Sequence, residues 1–222
     1  MSRLHAVASV ISLAACIAAS LAGPAHAERL GKGRSLVLVG IGGHTGEFTY
    51  PGATIYHFES GEVGGEIAYY RFLSDRWTLG ISGGYHAGGM KVDENNPNGT
   101  PLSTETLDTH SFTVRVGGDR YAFIDDNVAL YAGPGVFFTR GRAKYEQTVR
   151  PPTVGGGSSE GPDATEVGLS GRIGMYARLG KGTALFGHIG QVLSRTSAKD
   201  STGRISWWSS TSEGSLGLAL DF

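Results

Sequence analysis

One periodicity dominates this chain, and it is two. From Trp77 to Gly89, the residues Trp77, Leu79, Ile81 and Tyr85 share one face, and Thr78, Gly80, Ser82, Gly84 and His86 share the other. Glu166–Leu179 repeats the pattern, with Val167, Leu169, Ile173 and Met175 set against Glu166, Gly168, Ser170, Arg172 and Tyr176. Val128–Thr139 sets Val128, Leu130, Ala132, Val136 and Phe138 against Tyr131, Gly133 and Gly135. The last residues alternate Leu216, Leu218, Leu220 and Phe222 with Ser215, Gly217, Ala219 and Asp221. Successive side chains of a strand point to opposite sides, so such runs are the mark of strands with two unlike faces. Val63–Phe72, Thr109–Gly118 and Thr183–Leu193 follow the rule less cleanly. Ser35–Ile41 is apolar at nearly every position, which leaves its facing undetermined. No helical stripe runs far, and no stretch after the leader reaches the roughly 18 apolar residues of a membrane helix.

The connectors alternate in length. Leu73–Arg76, Ile124–Asn127 and Gly180–Gly182 are tight turns. The long connectors are about Gly43–Tyr56, Met90–Glu105, Glu146–Ala164 and Arg195–Ile205, rich in the residues of exposed loops. Eight strands with short turns on one rim and long loops on the other predict an all-β, eight-stranded antiparallel up-and-down barrel.

A barrel of this kind is soluble or membrane-spanning according to which face is apolar. Soluble barrels point apolar residues inward and membrane barrels point them outward. Here the second face carries Glu66, His86, Arg115, Glu166, Arg172, His188, Glu213 and Asp221, with hardly any Lys. A solvated face is usually denser in long charged side chains. Glycine makes up 36 of 222 residues, over twice the usual share of about 7%, and within the seven alternating windows 11 fall on this second face against 7 on the apolar one. Glycine suits a narrow lumen in which bulky groups need small neighbours. The net charge of −1 lacks the basic surplus of a nucleic-acid binder, and a mean hydropathy of −0.10 is too polar for a bundle of membrane helices.

The N-terminus reads as an address. Arg3, an apolar run from Ala6 to Leu21 and the Ala25-His26-Ala27 end form a secretory signal cleaved after Ala27. The barrel domain is then 28–222. A rival reading is the lipobox Leu13-Ala14-Ala15-Cys16, which would lipidate Cys16, the chain's single cysteine. Without disulfides the mature chain must hold together by burial and backbone pairing. Trp77, Tyr121 and Phe123 flank the short turns, and Trp207 and Trp208 begin the last strand, the places of interfacial aromatic girdles.

At the C-terminus these features meet a family. Ser215-Leu216-Gly217-Leu218-Ala219-Leu220-Asp221-Phe222 resembles the terminal strand of bacterial outer-membrane barrels, which alternates apolar residues and ends in an aromatic. With the signal and eight strands, the mature chain resembles the small OmpA/OmpX-like barrels. The resemblance implies a place in the outer membrane, lipid partners including lipopolysaccharide, and handling by periplasmic chaperones and the barrel-assembly machinery. In that reading Leu216, Leu218, Leu220 and Phe222 are the assembly signal, and a monomer is expected.

Sites for chemistry are sparse. Gly80-Ile81-Ser82-Gly83-Gly84 matches the hydrolase elbow in letters, but lies within an alternating strand rather than at a strand-to-helix turn. His44, His57, His86, His110 and His188 show no metal-ligand spacing. No catalytic residue, metal or cofactor is expected. Outer-membrane lipid A deacylases, also eight-stranded barrels, have a late His-x-Ser pair. This chain has His188-Ile189-Gly190 with Glu213 later, and glycine stands where the nucleophilic hydroxyl belongs. Glu66, Arg115, Glu166, Arg172 and Glu213 are expected to pair across the lumen, plugging a cylinder just wide enough for its own side chains. The functions left open are a structural or surface-interaction barrel with long external loops, a narrow channel, and a lipid-modifying enzyme.

Overall fold

The computed structural model describes residues 30–49, 57–95, 101–149, 157–160, 163–200 and 203–222. The leader expected at 1–27 lies outside them. The strands are β1 (Ser35–Thr49), β2 (His57–Phe72), β3 (Thr78–Asn95), β4 (Pro101–Gly117) and β5 (Arg120–Phe123), followed by β6 (Val128–Val149), β7 (Gly157–Glu160), β8 (Ala164–Gly180), β9 (Thr183–Asp200) and β10 (Gly203–Asp221). All neighbours are antiparallel, and β1 pairs with β10 from Leu36↔Asp221 to Gly46↔Thr211, which closes the sheet.

Ten strands form eight staves. β4 and β5 are one stave in one register, since Gly117 pairs with Gly135 and Arg120 with Ala132. Its ladder lapses at Gly118 and Asp119, opposite Pro134, which has no N–H to give. Gly118 N donates to the Pro134 carbonyl at 3.2 Å instead. β7 is a short strand on the connector after β6. The three tight turns fall where the sequence places them. In the last, Gly182 takes a φ of 73°, which a side chain would oppose.

The long connectors are shorter than the sequence implies. β3 runs on to Asn95, β6 to Val149 and β9 to Asp200, and each continues its pairing. Polar stretches such as Glu146–Val149 and Thr196–Asp200 read as loop by composition, yet backbone pairing does not need an apolar face.

The wall is apolar outside and polar or aromatic inside. Ile81, Tyr85, Val136, Leu169, Ile173, Ile189 and Leu216 are 50–67% exposed. Their neighbours Ser82, Arg115, Ser170, Arg172 and His188 are at most 7% exposed. The undetermined segment is resolved by pairing: Leu36 and Leu38 are buried, while Ile41 is exposed. Assigned to a girdle from sequence, Tyr121 and Phe123 lie inside instead. They continue the inward phase of Arg115; Tyr121 is 2% exposed, and Phe123 stacks on it at 6.2 Å. Trp77 and Trp208 do stand on the outer wall. Of Trp207 only the backbone is described.

Candidate functional site

Among the described residues the interior gathers buried charged groups, Arg115, Asp119, Arg172 and Asp221, and glycine makes the room for them. Several large inward side chains face a glycine on a neighbouring stave: Tyr70 faces Gly80, Tyr131 faces Gly174, Phe186 faces Gly217, and Arg172 lies between Gly133 and Gly190. The spaces are filled. A methyl group on Gly174 would fall 2.4 Å from Tyr131 Cζ, and one on Gly80 2.3 Å from Tyr70 Cδ1.

The stack begins at the short-turn rim. Leu30 is 3% exposed and packs with Leu36, Phe72, Tyr121 and Phe186. The tether Gly33 N to Phe72 O, at 3.0 Å, and Lys32 N to Asp75 Oδ1, at 3.2 Å, holds that segment beneath the barrel. Beside it, Asp221 accepts from Arg34 at 3.2 Å, Arg178 at 3.0 Å and Tyr176 at 3.3 Å. Arg34 thereby ties the start of the chain's first strand to the end of its last.

Above this lies the strongest polar contact. Arg172 donates from Nε to Asp119 Oδ1 at 3.1 Å and from Nη2 to Oδ2 at 2.7 Å, and it also donates to Tyr70 Oη. The two side chains are 5% and 2% exposed. The guanidinium carbon lies 5.0 Å from the Tyr70 ring centre and 5.9 Å from that of Tyr131, so rings cover the charge where carboxylate does not.

Arg115 and Glu213 pair above that level. Glu166 accepts from Ser194, which also meets Ser209 at 2.7 Å. Glu66, His86 and His188 line the same small cavity of about 70 Å³. At roughly 10–15 Å³ of such volume per water, that is room for a handful of waters. Of the five charged residues expected to form one network, Arg115 and Glu213 pair with each other. Arg172 takes a different partner, Asp119, which lies just beyond the Thr109–Gly118 strand expected from sequence. The signal was available: Asp119 continues the phase of Arg115 and Gly117.

His188 is buried, and its ring stacks on Phe186 at 6.2 Å. A methyl group on Gly190 would fall 2.9 Å from Glu213 Oε1 and 2.8 Å from the Gly171 carbonyl, so the position has no room for a serine. Leu216, Leu218 and Phe222 are exposed on the outer wall, with Leu220 half-buried.

No protein-family model matches the chain, and no curated protein sequence matches it. Solved structures do. The Neisserial surface protein A (NspA) superposes with a TM-score of 0.51 at 12% identity, over 86% of this chain and all of that one. The chain has the fold of the small eight-stranded outer-membrane barrels. OprG of Pseudomonas aeruginosa (TM-score 0.47, 10% identity, 86% of this chain and 97% of that one) is also similar. So is Ail of Yersinia pestis, described as its attachment invasion locus protein (0.41, 15%, 86% and 99%).

Proposed function

We propose that this chain is an integral protein of a bacterial outer membrane, with a closed lumen and a structural or surface-interaction role carried by its long connectors. The observation that carries the reading is the filled interior: Leu30, the aromatic layer, Arg172–Asp119 and Arg115–Glu213 occupy successive levels of one cylinder. A lumen packed in this way conducts little. The exposed apolar wall supports a lipid surround, since large continuous apolar surfaces on a soluble monomer are rare.

Export by the 1–27 leader, delivery by periplasmic chaperones and recognition of Leu216, Leu218, Leu220 and Phe222 by the assembly machinery complete the proposal. So do contact with lipopolysaccharide and a monomeric state. Catalysis has no place in it, because acyl transfer needs a nucleophile that Gly190 does not supply. Recognition belongs to the connectors, as loops on a rigid scaffold are the usual carriers of binding.

Four measurements test the reading. The protein should fractionate with the outer membrane and migrate anomalously on gels unless boiled. Planar bilayers holding the pure protein should show no steady large conductance. A stable conductance would replace the closed barrel with a channel, and altered lipid A mass on expression would replace it with an enzyme.

A further inference from the structure

Near the short-turn rim the outer wall is indented. Small residues, Ala122, Ala132 and Gly187, interrupt the apolar surface there, leaving a depression of about 880 Å³ walled by Leu130, Ile173, Met175 and Ile189. Those four side chains are 49–66% exposed. The lining also includes Arg76 and Arg120. Arg120 lies on the rung of Ala132 and is held over the Trp77 ring at 5.9 Å. Arg76 ends the Leu73–Arg76 turn, and its carbonyl accepts from Tyr121 N at 2.7 Å. Neither arginine has a carboxylate partner among the described residues. In the two adjoining short turns Asp75 accepts from Lys32 N, and Asp125 from Asn127 N and Val128 N.

We propose that this depression is a binding site for an anionic phospholipid, with an acyl chain against Ala132 and Gly187 and the phosphate between Arg76 and Arg120. The inference rests on the membrane reading above. Short turns mark the periplasmic rim of such barrels, so the arginines meet the headgroups of the inner leaflet. An apolar groove in that position is filled by a hydrocarbon chain, and two unpaired guanidiniums favour the chain that carries a net negative head.

The test uses the full chain in nanodiscs of phosphatidylcholine and phosphatidylglycerol, with retained lipids counted by native mass spectrometry after a mild detergent wash. Phosphatidylglycerol should be enriched roughly 30-fold, the scale set by two basic groups beside an anionic headgroup. Arg76→Gln with Arg120→Gln should abolish the preference, and Ala132→Phe should lower retention of either lipid. Arg140→Gln with Arg142→Gln, on the opposite rim, should change nothing. Equal retention of the two lipids by the unaltered chain overturns the site and does not depend on any variant folding. Disulfide-linked dimers of Ala132→Cys would also overturn it, by placing a second copy in the groove. Boiling-dependent gel migration of each sample separates the two readings. A chain that never inserts defeats the membrane barrel, whereas one that inserts without preference defeats only the lipid site.

Discussion

Arg115 and Glu213 stand on opposite sides of the cylinder, four staves apart in either direction, and their ion pair spans the lumen. It is one of two such bars among the described residues. The other runs from Arg172 to Tyr70, also four staves apart, and is anchored sideways on Asp119. The bars close different levels, and only the lower one rests on the aromatic layer. Arg115→Ala with Glu213→Ala should therefore enlarge the upper cavity and leave planar-bilayer conductance at baseline. Arg172→Ala should produce small openings. Equal conductance from both variants would mean that the aromatic layer alone closes the barrel.

The Asp119–Arg172 pair is nearly inaccessible to water, so its loss is costly in one direction. Asp119→Ala strands a buried guanidinium and should destabilise the barrel by about 3–5 kcal/mol. Asp119→Asn keeps an acceptor and should cost less. Replacing both residues by leucine should cost less than the sum of the single changes, because the stranded charge is gone. Guanidinium unfolding in lipid vesicles measures these variants beside Asp119→Leu, Arg172→Leu and the unaltered chain, and strict additivity would deny the coupling.

Gly174 faces Tyr131, and the close approach of ring to backbone leaves no space for a methyl group. Gly174→Ala should cost about 1–3 kcal/mol through overpacking. The Gly187 carbonyl, 2.5 Å from the same methyl position, sets the part that cannot be relieved. Tyr131→Leu in the same chain should recover the remainder. A double-mutant cycle on unfolding free energies checks this, and a coupling near zero would place the strain in the backbone alone.

What sequence made legible follows from the two solvents of a membrane barrel. Where one face meets lipid and the other a crowded polar lumen, as in Trp77–Gly89 and Glu166–Leu179, alternation assigns each side chain correctly. It fails where both faces are apolar. Leu36 and Leu38 enter the aromatic layer while Ile41 faces outward, and only pairing with β2 and β10 distinguishes them. Tyr121 and Phe123 fail differently, because an aromatic near a turn suits an interfacial girdle and an internal plug equally well; phase decides, not residue type. Asp119 lies just beyond the Thr109–Gly118 strand expected from sequence, at an interruption opposite Pro134.

Beyond the apolar belt, Asp163 accepts from Arg142 at 2.8 Å and Arg140 at 3.0 Å. Those hydrogen bonds, Arg142 first, hold its carboxyl down at about 2. A depressed carboxylate adds its stabilisation above the ordinary carboxylate range and loses it as pH falls through the folded value. The contact should thus be complete at neutral pH, begin to weaken below about pH 4 and disappear near 2. Carboxyl NMR of the protein in micelles should show the Asp163 midpoint near 2 and its return toward about 3.9 in Arg142→Gln with Arg140→Gln. An ordinary midpoint in the unaltered chain would mean the pair is not formed in solution.

Leu169 is the sharpest probe of facing. It is 62% exposed and lies on one rung with Val136 and Leu193, each 54% exposed, so an outward apolar row crosses three staves there. In water such a row would be unremarkable to a single arginine, which would simply be solvated. In a bilayer the same arginine must be buried in hydrocarbon, at a cost of about 2–4 kcal/mol near the midplane and about 0–1 near the interfaces. Leu169→Arg should therefore be strongly destabilising in lipid vesicles, whereas Leu179→Arg, beside the short turn, should be nearly neutral. The contrast matters more than either value, since both sites are exposed leucines on the same strand and differ chiefly in depth. Equal and small effects at both positions would mean that the outer wall is not lipid-facing, and the closed, apolar-walled barrel would then need a protein partner to cover it.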